Sequence, residues 1–439
     1  MPKVALIGAG SAVFAQRVIT DILAIDGLDA GTFALVDLDS VRLELIHEVA
    51  EQTIQSAGKT WTVEATTSRR SVLAGCDYVF NMIEVGGLAN VHTDYAIPLK
   101  YGVDQCIADT IGPGGIFKYL RTAPSWLAIC RDIEELCPNA LVINYSNPMS
   151  ALVLTALRAT SLHVVGLCQS IVQTAYELAD YMDVPYEQMR YRCAGINHLS
   201  WYVTLAMDGE DLYPRLRRAA ADPAIYEQNP IRFDLMHAFG YYTTESSGHV
   251  SEYVPYFRKR KELIEHYVSI ELDIVGGERA SRWPANRIEH DKQLRDYLER
   301  ERRGERAFYL DRGLDAGSYI IEGHALNRPQ VIYGNVRNSG LIENLPANGC
   351  VEVACLVDGN GIQPLQFGRL PTQLAALNSA HMMMHELLVQ ALLDEDRKAA
   401  LHALMLDPLT AAVCSLEEIR QLFDEMAATQ QAYLPHFIL

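Results

Sequence analysis

Two residues with metal-binding side chains stand thirty positions apart: Cys168 in Gly166-Leu167-Cys168-Gln169-Ser170, and His198 in Gly195-Ile196-Asn197-His198. A thiolate and an imidazole suit a borderline divalent ion. The same pair fits a core thiol and a hydrogen-bonded buried histidine equally well, because this interval is no established metal signature. A second constellation opens the chain. Gly8-Ala9-Gly10-Ser11 follows the apolar run 3–7 and precedes a helical pattern through Val18, Ile22 and Leu23. Glycines there let the backbone turn tightly and approach a pyrophosphate seated on the helix N-terminus. The third position of this fingerprint is Val13 rather than glycine, so the motif draws its weight from context. An acid, Asp37, ends the next apolar run, where a ribose hydroxyl would sit, and an aspartate there favours NAD over NADP. Asp39 is the alternative acid or a helix cap, and a plain strand-to-helix turn is the alternative for the glycines.

The elements that must position these residues alternate. Short apolar runs at 3–7, 33–36, 61–65, 78–83, 140–145 and 164–167 read as strands. Helical patterns fall between them, notably over 40–57 and 124–137. This order predicts a doubly wound, Rossmann-type parallel α/β sheet over residues 1–195. Cys168 then lies at the carboxyl end of a strand, where such sheets bind ligands. After residue 195 helical stretches dominate, with strands near 201–206, 331–336 and 351–356. We expect residues 196–439 to form a second, mixed α/β domain carrying the substrate walls and a helical C-terminus, with a charged exposed helix over 287–306.

Composition excludes several classes. The chain has 439 residues, 49% hydrophobic and 21% charged, ordinary for a globular enzyme. A net charge of −18 argues against nucleic-acid partners and anionic membranes. No uninterrupted apolar run is long enough to span a bilayer. The nine scattered cysteines point to a reduced, cytoplasmic setting.

Longer motifs carry a resemblance. Together with the three glycine-containing stretches above, Ile107-Ala108-Asp109-Thr110-Ile111-Gly112-Pro113-Gly114-Gly115, Asn144-Tyr145-Ser146-Asn147-Pro148-Met149, Tyr333-Gly334-Asn335-Val336-Arg337-Asn338 and Met405-Leu406-Asp407-Pro408-Leu409-Thr410 resemble the family-4 glycoside hydrolases, in matching order along nearly the whole chain. That resemblance implies a lactate/malate dehydrogenase-like fold, NAD and a divalent metal, usually Mn2+. It implies a route distinct from two-carboxylate hydrolysis. Hydride leaves C3 of the sugar, a base removes the acidified C2 proton, and the glycosidic oxygen departs by elimination. Water then adds and the hydride returns. It further implies that Cys168 and His198 are metal ligands, that Asn147 contacts substrate, and that a tyrosine in the stretch 239–249 is the base. Tyr241 is the first choice and Tyr242 the second, with Glu245 and His249 as helpers or pocket walls. A sugar substrate and a homodimer or homotetramer are expected.

The chain departs from the family pattern twice. Gln169 follows the cysteine where α-galactosidase-like members carry histidine and phospho-α-glucosidases carry an aspartate acid. A glutamine amide can bond a sugar hydroxyl but cannot donate a proton, so Asp109 becomes a candidate acid. Glu84 stands where members acting on 6-phosphosugars carry an arginine, and a glutamate there would repel phosphate. An unphosphorylated α-glycoside, most like an α-galactoside, is therefore expected, with α-glucosides or uronides of the same family as alternatives. Two readings compete: a 2-hydroxy-acid dehydrogenase with Arg121 as carboxylate clamp, and an inactive NAD- or sugar-binding protein.

Overall fold

The structure, a computed structural model, describes residues 1–11, 14–267, 289, 292–293, 295–296, 298–300, 302–305 and 311–439. Val13 and, within the expected helix over 287–306, residues 287–288, 290–291, 294, 297, 301 and 306 lie outside the described residues.

Six strands form the parallel part of the sheet: β1 (Lys3–Ile7), β2 (Ala30–Val36), β3 (Thr60–Thr66), β4 (Tyr78–Asn81), β5 (Leu141–Asn144) and β6 (His163–Gly166). Their spatial order is β3-β2-β1-β4-β5-β6, the doubly wound Rossmann order, with the crevice between β1 and β4. The central strands are apolar throughout because helices cover both faces; β4 and β5 are buried at every residue. The helix Ser40–Ala57 starts on Asp39, whose carboxylate accepts from the Val41 and Arg42 N–H groups. Asp39 is therefore the cap.

The remaining strands extend the same sheet. They are β7 (Arg190–Ile196), β8 (Leu199–Met207), β9 (Glu210–Asp211), β10 (Gln330–Arg337), β11 (Cys350–Asp358) and β12 (Gly361–Pro364). β10 pairs antiparallel with β6, and the order runs on through β11, β7, β8 and β9, with β12 on β11. The expected division after residue 195 falls inside β7. Among the described residues the C-terminal half builds no sheet of its own, because β10 takes the open edge that β6 would otherwise present and β11 adds to β10.

The helix Gly112–Leu136 is longer than its apolar pattern predicts and begins in the glycine-rich run. A side chain on Gly115 would come within 2.4 Å of the Thr110 carbonyl carbon, so glycine allows the preceding loop to fold onto the first turn. Asp407 ties this start to the C-terminal helices: Oδ1 accepts from Gly112 N at 3.1 Å, and Oδ2 from Thr410 N at 2.8 Å. Among the described residues, no helix is long and apolar enough to cross a membrane.

Arg121 belongs to this framework. It is 1% exposed and bonds Asp94 at 2.6 and 3.1 Å, Gln430 and the Val85 carbonyl. It does not line the cavity at the carboxyl ends of the parallel strands, so Arg121 is not placed as the carboxylate clamp that a dehydrogenase would need. Arg121→Ala leaves Asp94 buried without its cation; a loss of about 3–5 kcal/mol of stability is expected in urea unfolding.

Candidate active site

A cavity of about 460 Å3 opens at the carboxyl ends of β1, β4 and β5, lined by Ser11, Glu84, Asp109, Lys118, Asn147, His198, Glu245 and His249 among others. Residues that are far apart in the chain meet here because strand ends and sheet-crossing loops converge on one edge.

The glycine loop reaches the cavity through Ser11. Gly8 has φ +85°, and a Cβ on it would lie 2.8 Å from the Met82 carbonyl oxygen, so the first turn requires glycine. Gly10 N donates to Asp37 Oδ2 at 2.8 Å, which holds the expected ribose acid against the loop. Gly8, Gly10, Ser11 and Asp37 thus form one surface at the amino end of the helix Ala15–Leu23, suited to a dinucleotide.

Opposite it, Cys168 follows β6, and His198 sits in the two-residue turn between β7 and β8. Cys168 Sγ lies 3.3 Å from His198 Nε2. Sequence reasoning gave Glu245 only a supporting part, yet its Oε1 stands 3.5 Å from His198 Nε2 and 4.0 Å from Cys168 Sγ. The three ligand atoms lie within 4.8 Å of one another. His198 (φ 65°) and Glu245 (φ 70°) both occupy left-handed backbone, strain that the surrounding pairing must hold. Residues 242–244 act as an extra rung beside β8: Tyr202 N donates to Tyr242 O, Thr244 N to Ser200 O, and Trp201 bridges Thr243. This rung delivers Glu245 to the turn that carries His198.

Electrostatics fit a cation. Burial, then the charges of Glu245 and Glu352, push the Cys168 thiol well above its ordinary value. A coordinated dication reverses that logic and ionises the thiol. Burial also opposes ionisation of Glu245, but His198 and His249 outweigh it and bring its carboxyl down to about 2. Thiolate, imidazole and carboxylate together are a donor set for a borderline divalent metal. Beneath them lies Glu352, wholly buried, accepting from Ser200 Oγ at 2.8 Å and Asn335 Nδ2 at 3.1 Å. Burial lifts its carboxyl to about 7. A single glutamate inside the apolar run of β11 was the sequence signal for it.

The other expected residues divide. Asn147 lines the cavity; its Nδ2 donates to Asp109 Oδ2 at 3.1 Å, and its buried Oδ1 has no protein partner. Asp109 lines it too, carried by a loop whose Cys106 and Ile107 N–H groups donate to buried Glu252 at 2.7 and 2.6 Å. Burial would raise the Asp109 carboxyl, but Lys118 at 3.6 Å and His249 hold it well below the carboxylate range. A carboxyl held this low favours the ionised form, a hydrogen-bond acceptor, over the role of acid expected from the sequence. Glu84 is not a lone repelling charge: Lys118 pairs with it at 2.9 Å. Gln169 does not line the cavity; its amide donates to Asp315 Oδ2 at 3.3 Å. Neither expected tyrosine lines it either. Tyr242 is 0% exposed in a second core cluster with Phe233 and Tyr202, and Tyr241 packs edge-on against Tyr213. Both phenols pack with the core cluster that contains Phe233 and Tyr202.

Comparison with known proteins gives the family. The description "Family 4 glycosyl hydrolase" matches residues 3–184, and the C-terminal domain of that family matches residues 193–410. The chain belongs to the family 4 glycosyl hydrolases. It is 38% identical to an alpha-galactosidase of Bacillus subtilis (strain 168) over the full length of both chains. A solved Bacillus subtilis protein assigned as a glucosidase, lplD, superposes with a TM-score of 0.85 at 26% identity, covering 97% of this chain and 99% of that one. A 6-phospho-alpha-glucosidase from gut microorganisms, solved in complex with NAD and Mn2+, superposes at 0.81 with 20% identity, covering 99% of each chain.

Glu245→Gln keeps the shape and removes a charged ligand. Its affinity for Mn2+, measured by calorimetry on the folded protein, is expected to fall about tenfold or more.

Proposed function

We propose that this glycosyl hydrolase cleaves unphosphorylated α-galactosides by the oxidation, elimination and readdition route that its family resemblance implies, using NAD and a divalent metal such as Mn2+. One observation carries the proposal: Ser11, at the end of the glycine turn, and His198 and Glu245, two members of the cluster with Cys168, line one cavity. Bound there, NAD+ supplies the hydride acceptor for C3, and the dication supplies a Lewis acid for the charge that develops on O2 and O3. The similar alpha-galactosidase and the relative solved with NAD and Mn2+ support both parts.

The chain's own residues supply orientation and proton transfer. Asn147 Oδ1, buried and without a protein partner, accepts from a sugar hydroxyl, and ionised Asp109 accepts another. His249 replaces the expected tyrosine at C2. Its Nδ1 stands 3.6 Å from Glu245 Oε2, while its Nε2 is buried on the cavity wall with no protein partner. An imidazole oriented by a carboxylate, with its second nitrogen free, is an arrangement for moving a proton.

Charge favours a neutral sugar. The lining holds Glu84, Asp109, Glu177 and Glu245 against Lys118 and Arg232. Lys118 is taken by Glu84 and Asp109, and Arg232 by Glu177 at 2.5 Å. Neither cation is left to clamp a 6-phosphate.

Nitrophenol release from p-nitrophenyl α-galactoside under reducing conditions is expected to require both NAD+ and Mn2+ and to exceed release from the 6-phosphate. His249→Gln is expected to lower kcat about a hundredfold or more while Mn2+ affinity persists. Release without NAD+, or none from any glycoside with NAD+ bound, would overturn the proposal.

A further inference from the structure

At the opposite end of the sheet is a second cavity, of about 610 Å3, lined from the start of β5 and β6, the end of β10 and the β11–β12 hairpin. Its position follows from the register. β10 passes Gly166 at Asn335 and runs antiparallel to β6, so Arg337 arrives near the amino end of β6. The sugar cavity lies at the carboxyl end of the same strands, so two ligands could be held at once.

The two cavities differ in charge. The chain carries a net −18, yet no aspartate or glutamate lines the second cavity. Its charged and ionisable groups are Arg337, His163 and His324. Arg337 is exposed and forms no ion pair among the described residues. Most described arginines pair with a carboxylate, and Arg337 is among those that do not. His163 is exposed at the start of β6, and His324 is fixed through Nδ1 to the Tyr78 hydroxyl at 2.8 Å. Leu157, Val165 and Ile362 supply an apolar floor.

We propose that this cavity binds a small organic anion: one carboxylate, sulfonate or phosphate head on the Arg337 guanidinium, with its apolar body against the floor. A planar guanidinium matches such a head with two parallel hydrogen bonds. An apolar concavity with a few converging polar groups is the general form of a small-molecule site. Binding here is independent of the sugar and of the nucleotide, because no residue lines both cavities.

The test uses 1-anilinonaphthalene-8-sulfonate, an apolar ring system with one anionic head, on protein saturated with NAD+ and Mn2+. One saturable fluorescent site is expected, displaced by octanoate and left in place by galactose. Arg337→Glu and His163→Glu are each expected to weaken it tenfold or more, with thermal unfolding and glycosidase activity unchanged, since both positions are exposed and lie outside the sugar site. No saturable site, or equal affinity in both variants, would overturn the proposal. So would a change of oligomeric state in Arg337→Glu, which would make this face an interface between copies of the chain. None of these outcomes bears on the sugar site, which is read separately by its activity.

Discussion

Three electron-rich groups gathered within 4.8 Å, largely out of water, set the terms for the rest of this fold. Such a cluster is costly to desolvate and is offset only by a cation. The backbone that assembles it is strained at two of its three members, His198 and Glu245. The structure holds them by pairing. β10 docks on β6 beside Cys168, β11 bridges from β10 to β7, and the β7–β8 hairpin carries His198. The rung at 242–244 completes the set. Asn335 links these parts directly, with its Nδ2 donating to both the Gly166 carbonyl and Glu352. The antiparallel extension is therefore the device by which a Rossmann sheet brings these three groups together.

Charge is apportioned with the same economy. Lys118 sits under the cavity with its side chain only 8% exposed, and answers both Glu84 and Asp109. Arg232 is enclosed by Glu177, Asn229 and Thr174. Lys118 and Arg232 each have a carboxylate, so the floor presents hydrogen-bond acceptors and an excess of negative charge. Glu252 does comparable work out of sight: it ties down the backbone of residues 106–108, and so aims Asp109.

Much of the parallel half was legible in the sequence, because buried parallel strands are plain apolar runs and the helix over 40–57 announces its cap. The glycine loop and Asp37 were legible for the same reason: their chemistry is local. The antiparallel half was not, since its strands take their meaning from β6, more than 160 residues earlier in the chain for β10. Cys168 and His198 could be named as a pair only through family motifs. Glu245 was undervalued because nothing local distinguishes it; only the rung beside β8 brings it to His198. The tyrosines fall outside the cavity for the converse reason, since a tandem of phenols says nothing about which way a strand faces. Gln169 was read as a sugar contact from its place after the cysteine, but as the residue just before the helix Ser170–Tyr181 it turns to Asp315 instead.

The elimination route is tested most directly by hydrolysing p-nitrophenyl α-galactoside with the NAD- and manganese-loaded protein in D2O. Removal of the C2 proton and its return from solvent predict galactose carrying deuterium at C2. Galactose released at the full rate with no carbon-bound deuterium would contradict the account, because direct displacement at C1 leaves every C–H bond of the sugar intact.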